Sequence, residues 1–430
     1  MYICIRCDTR WHAWVGEIQL CPPILLYEYR GLLPSVKKGK NVHFSISIYI
    51  PIRTSEVIEH EDYPNEEYEI LTDDGYYLVI NRIPHGRKTS ENTGAKPVAL
   101  VMPGILTNGG IWVTNLPNNS LGFILADAGF DVWLANNRGN RWCTRHHNFS
   151  RNQEEFWNFS FHEMGMNDVP AIINFVLAKT MQKQIYYIGY SQGSTLGFIA
   201  FSAMPQLAQK IKVFFIFGPI HLLKHTKSLY PKLAVFSDAF AKSVLGKKEF
   251  CVLPNNATRA FTAKLCNKNV WNKVCAKLIF SAGGISKNNV NMSRLDVMAT
   301  HLLDCTSVKN ILHWAQVAQS GEFKAFDYGS KNMKNYNQVS PPFYNIKDMN
   351  VPTVVWSGGK DIMATPEDTT EVLSLLGNLI YHKEIRHWMH YDFVFGLDAR
   401  QEVYDELVEI IEELNNLLCM DMGYNVFYAS

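Results

Sequence analysis

The sequence contains no apolar run long enough to cross a membrane, so none of its 430 residues reads as a transmembrane span. It carries almost no net charge. With 41 Lys and Arg against 40 Asp and Glu the balance is +1, which offers a polyanion no docking field and excludes nucleic acid as an expected partner. A continuous apolar leader is missing as well: residues 1–30 include Arg6, Asp8, Arg10, Glu17, Glu28 and Arg30. Residues 1–53 show no motif and read as an atypical leader, although 46–52 has the composition of a strand. The nine cysteines make no metal set, because Cys4 and Cys7 form a lone C-x-x-C without a second pair or neighbouring histidines. No cofactor-binding motif is found, so neither metal nor organic cofactor is expected. An odd total leaves at least one thiol without a partner inside the chain. Cys266 and Cys275, flanking a short polar and aromatic segment, are either the ends of a small disulfide loop or two unrelated thiols.

What is present is a chain of ordinary globular composition, 47% apolar and 19% charged, long enough for one large domain or one domain with a sizeable insertion. Five N-x-S/T sequons, at Asn118, Asn148, Asn158, Asn256 and Asn291, weakly favour passage through a secretory compartment.

The segment 185–204 organises the rest. A short apolar run, 185–188, is followed by Gly189-Tyr190-Ser191-Gln192-Gly193 and then by an apolar stretch of helical length. G-x-S-x-G alone is a common chance match. Between a strand and a helix it is the turn on which a serine stands clear of a sheet. Small residues two before and two after the serine let strand and helix backbones approach. The helix N-terminus then points N–H groups at the place where an oxyanion forms.

Around this turn the chain alternates. A hairpin is predicted over 68–80 with Asp73-Asp74-Gly75 at its turn, and a strand over 97–102 runs into Pro103-Gly104-Ile105-Leu106. A helix over 121–128 ends at Gly129, and a strand over 131–134 follows. Asp168-Val169-Pro170 has the residues of a helix start. Further strands are predicted over 211–217, 351–356 and 379–385, and a closing helix presents Val403, Leu407, Ile410, Ile411 and Leu414 on one face. Strands alternating with helices at this spacing predict a mostly parallel sheet covered by helices on both faces. Between 219 and 338 the alternation stops, and that stretch reads as an insertion. Of its large apolar residues (Phe236, Phe240, Phe250, Trp271, Leu278, Ile279, Phe280, Trp314), most are expected in the insertion's own core and some along an acyl-chain groove. The expected organisation is therefore a leader over 1–53, a core in two parts over 54–218 and 339–430, and the inserted region between them.

Ser191, Asp361 and His390 occur in the order Ser…Asp…His, each just after a predicted strand. That order is the α/β-hydrolase one. A serine hydroxyl needs a base to become a nucleophile at neutral pH, and the base needs an acid to fix its tautomer. His387 is the rival base. His390 is preferred because it follows the last strand by a loop and precedes the closing helix. His146, His147 and His162 stand on the wrong side of Ser191 in chain order. Asp392 is too close in sequence to His390 to orient it. The backbone N–H groups of Gln192 and of Ile105 are the expected oxyanion donors.

The segments Asn115-Leu116-Pro117-Asn118-Asn119-Ser120-Leu121, Asn137-Arg138-Gly139-Asn140, Ser293-Arg294-Leu295-Asp296-Val297 and Gln401-Glu402-Val403-Tyr404 resemble the acid lipase family over roughly residues 54–415. The resemblance implies an α/β-hydrolase fold with an inserted helical cap and lid. It also implies hydrolysis of triacylglycerols or cholesteryl esters at a lipid–water interface, and secretion or lysosomal residence with glycosylation. It maps the triad onto Ser191, Asp361 and His390, the oxyanion donors onto Ile105 and Gln192, and a cap disulfide onto Cys266 and Cys275. Three segments depart from the family pattern. Pro103-Gly104-Ile105-Leu106 replaces His-Gly-Leu-Leu, Tyr190 replaces a histidine, and His301-Leu302-Leu303-Asp304-Cys305-Thr306-Ser307 replaces His-Asn-Pro-Ala-Gly-Thr-Ser. The altered oxyanion loop and the missing apolar leader keep a lipid-binding protein weakened in catalysis as an alternative expectation, and a carboxylesterase or thioesterase for soluble substrates is a second.

Overall fold

The computed structural model describes residues 53–88, 94, 96–228, 243, 245–267 and 271–424. The expectations for the leader, Phe236 and Phe240 lie outside the described residues. Nine strands form one sheet: β1 Glu66–Leu71, β2 Tyr76–Ile83, β3 Val98–Met102, β4 Asp131–Leu134, β5 Arg145–His146, β6 Ile185–Tyr190, β7 Ile211–Phe217, β10 Thr353–Gly358 and β11 Leu379–Ile385. Their order is β1-β2-β4-β3-β6-β7-β10-β11, with β5 beside β2. The pairs from β4 through β11 are parallel, whereas β1, β2 and β5 join antiparallel. This is the α/β-hydrolase fold.

Strand periodicity divides the core. Val98, Leu100 and Met102 join one buried cluster with Tyr187, Phe214, Ile216 and Val355, while Ala99 and Val101 join the other with Ile188, Phe215, Phe217 and Trp356. Both faces are covered, so the central strands are apolar at nearly every position. The helix Gln192–Ala203 covers the first face; Leu407 and Ile411 of the closing helix Asp405–Tyr424 cover the second. Gly129, at φ +92°, ends the helix Leu121–Asp127 as expected.

Three local expectations are corrected. Asp168 does not open a helix. The helical run starts at Phe161, where Ser160 and Glu163 form a capping box, and passes through a π-helical turn, Met164–Asp168, into the helix Val169–Thr180. Pro170 is therefore interior, tolerated beside a turn already out of α register. β10 begins at Thr353, because Pro352 has no N–H to enter the ladder. Between residues 219 and 338, Trp271 and Leu278 are 51% and 70% exposed, not core. That stretch also holds a two-stranded antiparallel sheet, β8 Glu249–Cys251 with β9 Cys305–Ser307, which no pattern foretold.

Candidate active site

Strand β6 delivers Ser191 on a turn that only small neighbours permit. Ser191 sits at φ +54°, a conformation a non-glycine residue adopts at a cost of about 1–3 kcal/mol. A Cβ on Gly189 would lie 2.7 Å from Gly193 O, and one on Gly193 would lie 2.6 Å from Met102 O. Strand, elbow and helix thus touch backbone to backbone, as the motif requires.

The expected residues meet. His390 Nε2 lies 2.9 Å from Ser191 Oγ, and His390 Nδ1 lies 2.7 Å from Asp361 Oδ2. All three side chains are buried. Asp361 Oδ1 accepts from the backbone N–H groups of Met363 and Ala364, at 2.8 and 2.9 Å, which fixes the carboxylate facing the ring. The rival His387 is exposed and bonds Asp398. Asp392 accepts from Ser286, Asn289 and Met389 N, holding the loop that carries His390. His162 bonds Tyr344, and His146 bonds Asp74 O.

Gly104 abuts the serine: a Cβ there would lie 3.1 Å from Ser191 Cβ. Among the described residues, neither the Ile105 N–H nor the Gln192 N–H has an acceptor. Two backbone donors without partners, both on residues lining the cavity that holds Ser191, are suited to an oxyanion. Pro103 itself has no N–H, and the Ile105 N–H lies two residues further on.

Three contributors were not legible in advance. Gln192 Oε1 accepts from Asn310 Nδ2 at 3.0 Å and from Trp314 Nε1 at 2.9 Å. Tyr190, one of the departures, donates its hydroxyl to His390 O at 3.0 Å. Cys251 pairs with Cys305 in addition to the expected Cys266–Cys275 disulfide, and Cys143 is a buried free thiol. No strand was visible around Cys251 or Cys305, so nothing in the sequence could join them.

The site opens into a cavity walled by apolar groups such as Ile220, Leu223, Leu302, Trp314 and Met363. Among the described residues no cluster of His, Cys, Asp and Glu could hold a metal ion, and no helix is long and apolar enough to cross a membrane.

Residues 97–397 match the α/β hydrolase fold family, and residues 54–116 match the partial α/β-hydrolase lipase region. A solved structure, DcsB in complex with its substrate analogue, covers 81% of this chain and 99% of its own, with a TM-score of 0.50 at 14% identity, a likeness of fold alone. Fold and site together define an α/β-hydrolase. Among curated relatives, human lipase member M is 50% identical over 84% of this chain and 85% of its own length. Human gastric triacylglycerol lipase is 48% identical over 85% and 92%, and human lysosomal acid lipase/cholesteryl ester hydrolase is 47% identical over 84% and 91%. The chain belongs to the acid lipase family.

Proposed function

We propose that this chain hydrolyses carboxylic esters of neutral lipids, triacylglycerols or cholesteryl esters, through an acyl-enzyme. The observation that carries the reading is the unbroken Ser191–His390–Asp361 hydrogen-bond chain on the wall of an apolar cavity. His390 takes the Ser191 proton as Oγ attacks the ester carbonyl. Asp361 holds the ring in the tautomer whose Nε2 is free to accept and steadies the imidazolium. The Ile105 and Gln192 N–H groups hold the oxyanion. Collapse returns the proton to the leaving alcohol, and water then repeats the sequence on the acyl-enzyme. The cavity suits an acyl chain.

Docking at a lipid surface is supported by the helices Asn256–Cys266 and Asn272–Ile279. They expose Phe261, Val274 and Leu278, with Trp271 just before the second helix, beside Lys264, Lys273 and Lys277, and neither helix carries an acidic residue. The second helix leads within three residues to Ala282 in the cavity wall. Two disulfides and four exposed sequon asparagines, Asn118, Asn148, Asn158 and Asn256, support a secreted or lysosomal setting.

The test is an ester panel on purified protein with and without Ser191→Ala. Turnover of emulsified triacylglycerol or cholesteryl ester should fall by about 10⁴-fold or more in the variant with its melting temperature unchanged. A wild type that fails to react with a fluorophosphonate would favour a binding protein. One that cleaves dispersed esters but not emulsions would favour a soluble carboxylesterase.

A further inference from the structure

Residues 301–314 bond both the loop that carries Ile105 and the side chain of Gln192. On one side, Asp304 N donates to Leu106 O at 2.7 Å, and Thr107 pairs with Leu302 across an antiparallel bridge. Asn108 Nδ2 donates to Asp304 Oδ2 at 2.7 Å, and His301 Nδ1 lies 2.8 Å from Asn108 Oδ1. These bonds hold the loop that carries Ile105, a loop strained at Leu106, whose φ is +57°. On the other side, Asn310 and Trp314 donate to the side-chain carboxamide oxygen of Gln192, fixing the residue whose backbone N–H is the second donor. Between the two grips lies β9, which passes directly into the helix Val308–Ser320, so 304 and 314 are joined by regular backbone.

This stretch is itself anchored twice. Asp304 is fully buried and accepts from Arg141 N at 3.0 Å and Arg259 Nη2 at 3.3 Å. Its neighbour Cys305 is bonded to Cys251 on β8.

We propose that segment 301–314, tethered by the Cys251–Cys305 disulfide, is a common brace that sets the separation of the Ile105 and Gln192 amides. Asp304, Asn310 and Trp314 are positioning residues, acting on the oxyanion through the two donors. The inference rests on the ester hydrolase reading above. A brace of this kind stabilises the transition state and leaves ground-state binding alone, because the two amides meet the substrate oxygen fully only when it bears charge.

The experiment uses the full chain and three variants: Trp314→Phe, which removes the N–H and keeps a ring; Asp304→Asn, which keeps the shape; and Cys251→Ser with Cys305→Ser. Four quantities are read: kcat and KM on a dispersed ester, the inhibition constant of an alkyl trifluoromethyl ketone, which adds Ser191 Oγ to its carbonyl to form a hemiketal oxyanion, and the dissociation constant of a fatty acid. Loss of one donor typically costs about 10²–10³ in kcat, and displacement should cost less, about 10-fold. Each variant is expected to lose kcat and ketone affinity by the same factor; Asp304→Asn and the cysteine variant, which change no residue of the cavity wall, should keep KM and fatty-acid binding within about twofold. Trp314→Phe combined with Asp304→Asn should lose less than the product of the two, because both loosen one brace. Variants that keep kcat and ketone affinity, or a double variant whose losses multiply, would overturn the proposal while an active wild type leaves the hydrolase reading standing. A wild type that neither turns over ester nor binds the ketone would overturn both. If the cysteine variant fails to fold, Asp304→Asn, which lies outside the cavity wall, decides the matter.

Discussion

Gly193 shows how little room the elbow leaves. Its missing Cβ would strike Met102 O and Pro103 O, at 2.6 and 3.0 Å, and neither is the end of a flexible side chain. Gly193→Ala must therefore push the helix away from the oxyanion loop. Overpacking of this kind costs about 1–3 kcal/mol, so both a lower melting temperature and a kcat reduced at least tenfold are expected, read by thermal unfolding and ester turnover. Tyr190 offers a gentler perturbation. Its hydroxyl bonds the His390 carbonyl, and its ring lies 5.1 Å from the imidazole. Tyr190→Phe keeps the ring and loses one buried hydrogen bond, worth ~1 kcal/mol. A several-fold fall in kcat with KM unchanged is expected, and an unchanged kcat would mean that the loop holding His390 does not rely on this bond.

At the scale of elements, the paired helices Asn256–Cys266 and Asn272–Ile279 separate surface from site. Phe261 and Leu278 are 64% and 70% exposed, so changing them should leave the core untouched. Phe261→Glu with Leu278→Glu is expected to cut hydrolysis of emulsified lipid at least fivefold while a dispersed short ester is cleaved as before. Equal rates on both substrates would remove these helices from the interface. The same helices mark where the sequence stops being legible. β3, β4, β6 and β7 announce themselves because each is apolar on both faces and bounded by turn residues, and the sheet then places Ser191, Asp361 and His390 just beyond the C-terminal ends of β6, β10 and β11. Trp271 and Leu278 look like core by residue type alone, and only tertiary packing turns them outward. The helix before Pro170 was misread because a proline marks a first turn more often than a π-helical neighbour, although Ser160 and Glu163 stood three apart as a capping pair. β8 and β9, three residues each, are too short to carry any periodicity, and the disulfide joining them was hidden with them.

Across the whole molecule, the buried titratable groups set how stability responds to acid. His221 is buried with both ring nitrogens lacking a partner among the described residues, packed with Ile220, Leu222 and Leu223 and facing Phe323. Burial lowers its imidazole from 6.5 to about 4. Between those values the unfolded chain binds a proton that the folded chain refuses, so the stability this ring contributes is full above pH 6.5 and drains away as pH falls toward 4. At 1.36 kcal/mol per pH unit the loss is up to ~3 kcal/mol. Glu163 acts lower down: burial would raise it, but Lys309 and His162 prevail and hold it at about 2, so its contribution is lost from about pH 4.5 downward. Asp168 opposes both, since burial outweighs the Arg138 guanidinium and lifts its carboxyl to about 6, which favours the folded state as pH falls. His221→Leu isolates the ring from these neighbours. The urea midpoints of wild type and variant should diverge between pH 6.5 and 4, with the variant the more stable in acid, and then run parallel below pH 4, where Glu163 titrates in both. Midpoints that stay parallel from pH 7 to pH 4 would mean that the imidazole finds a partner in the folded chain and carries its charge there.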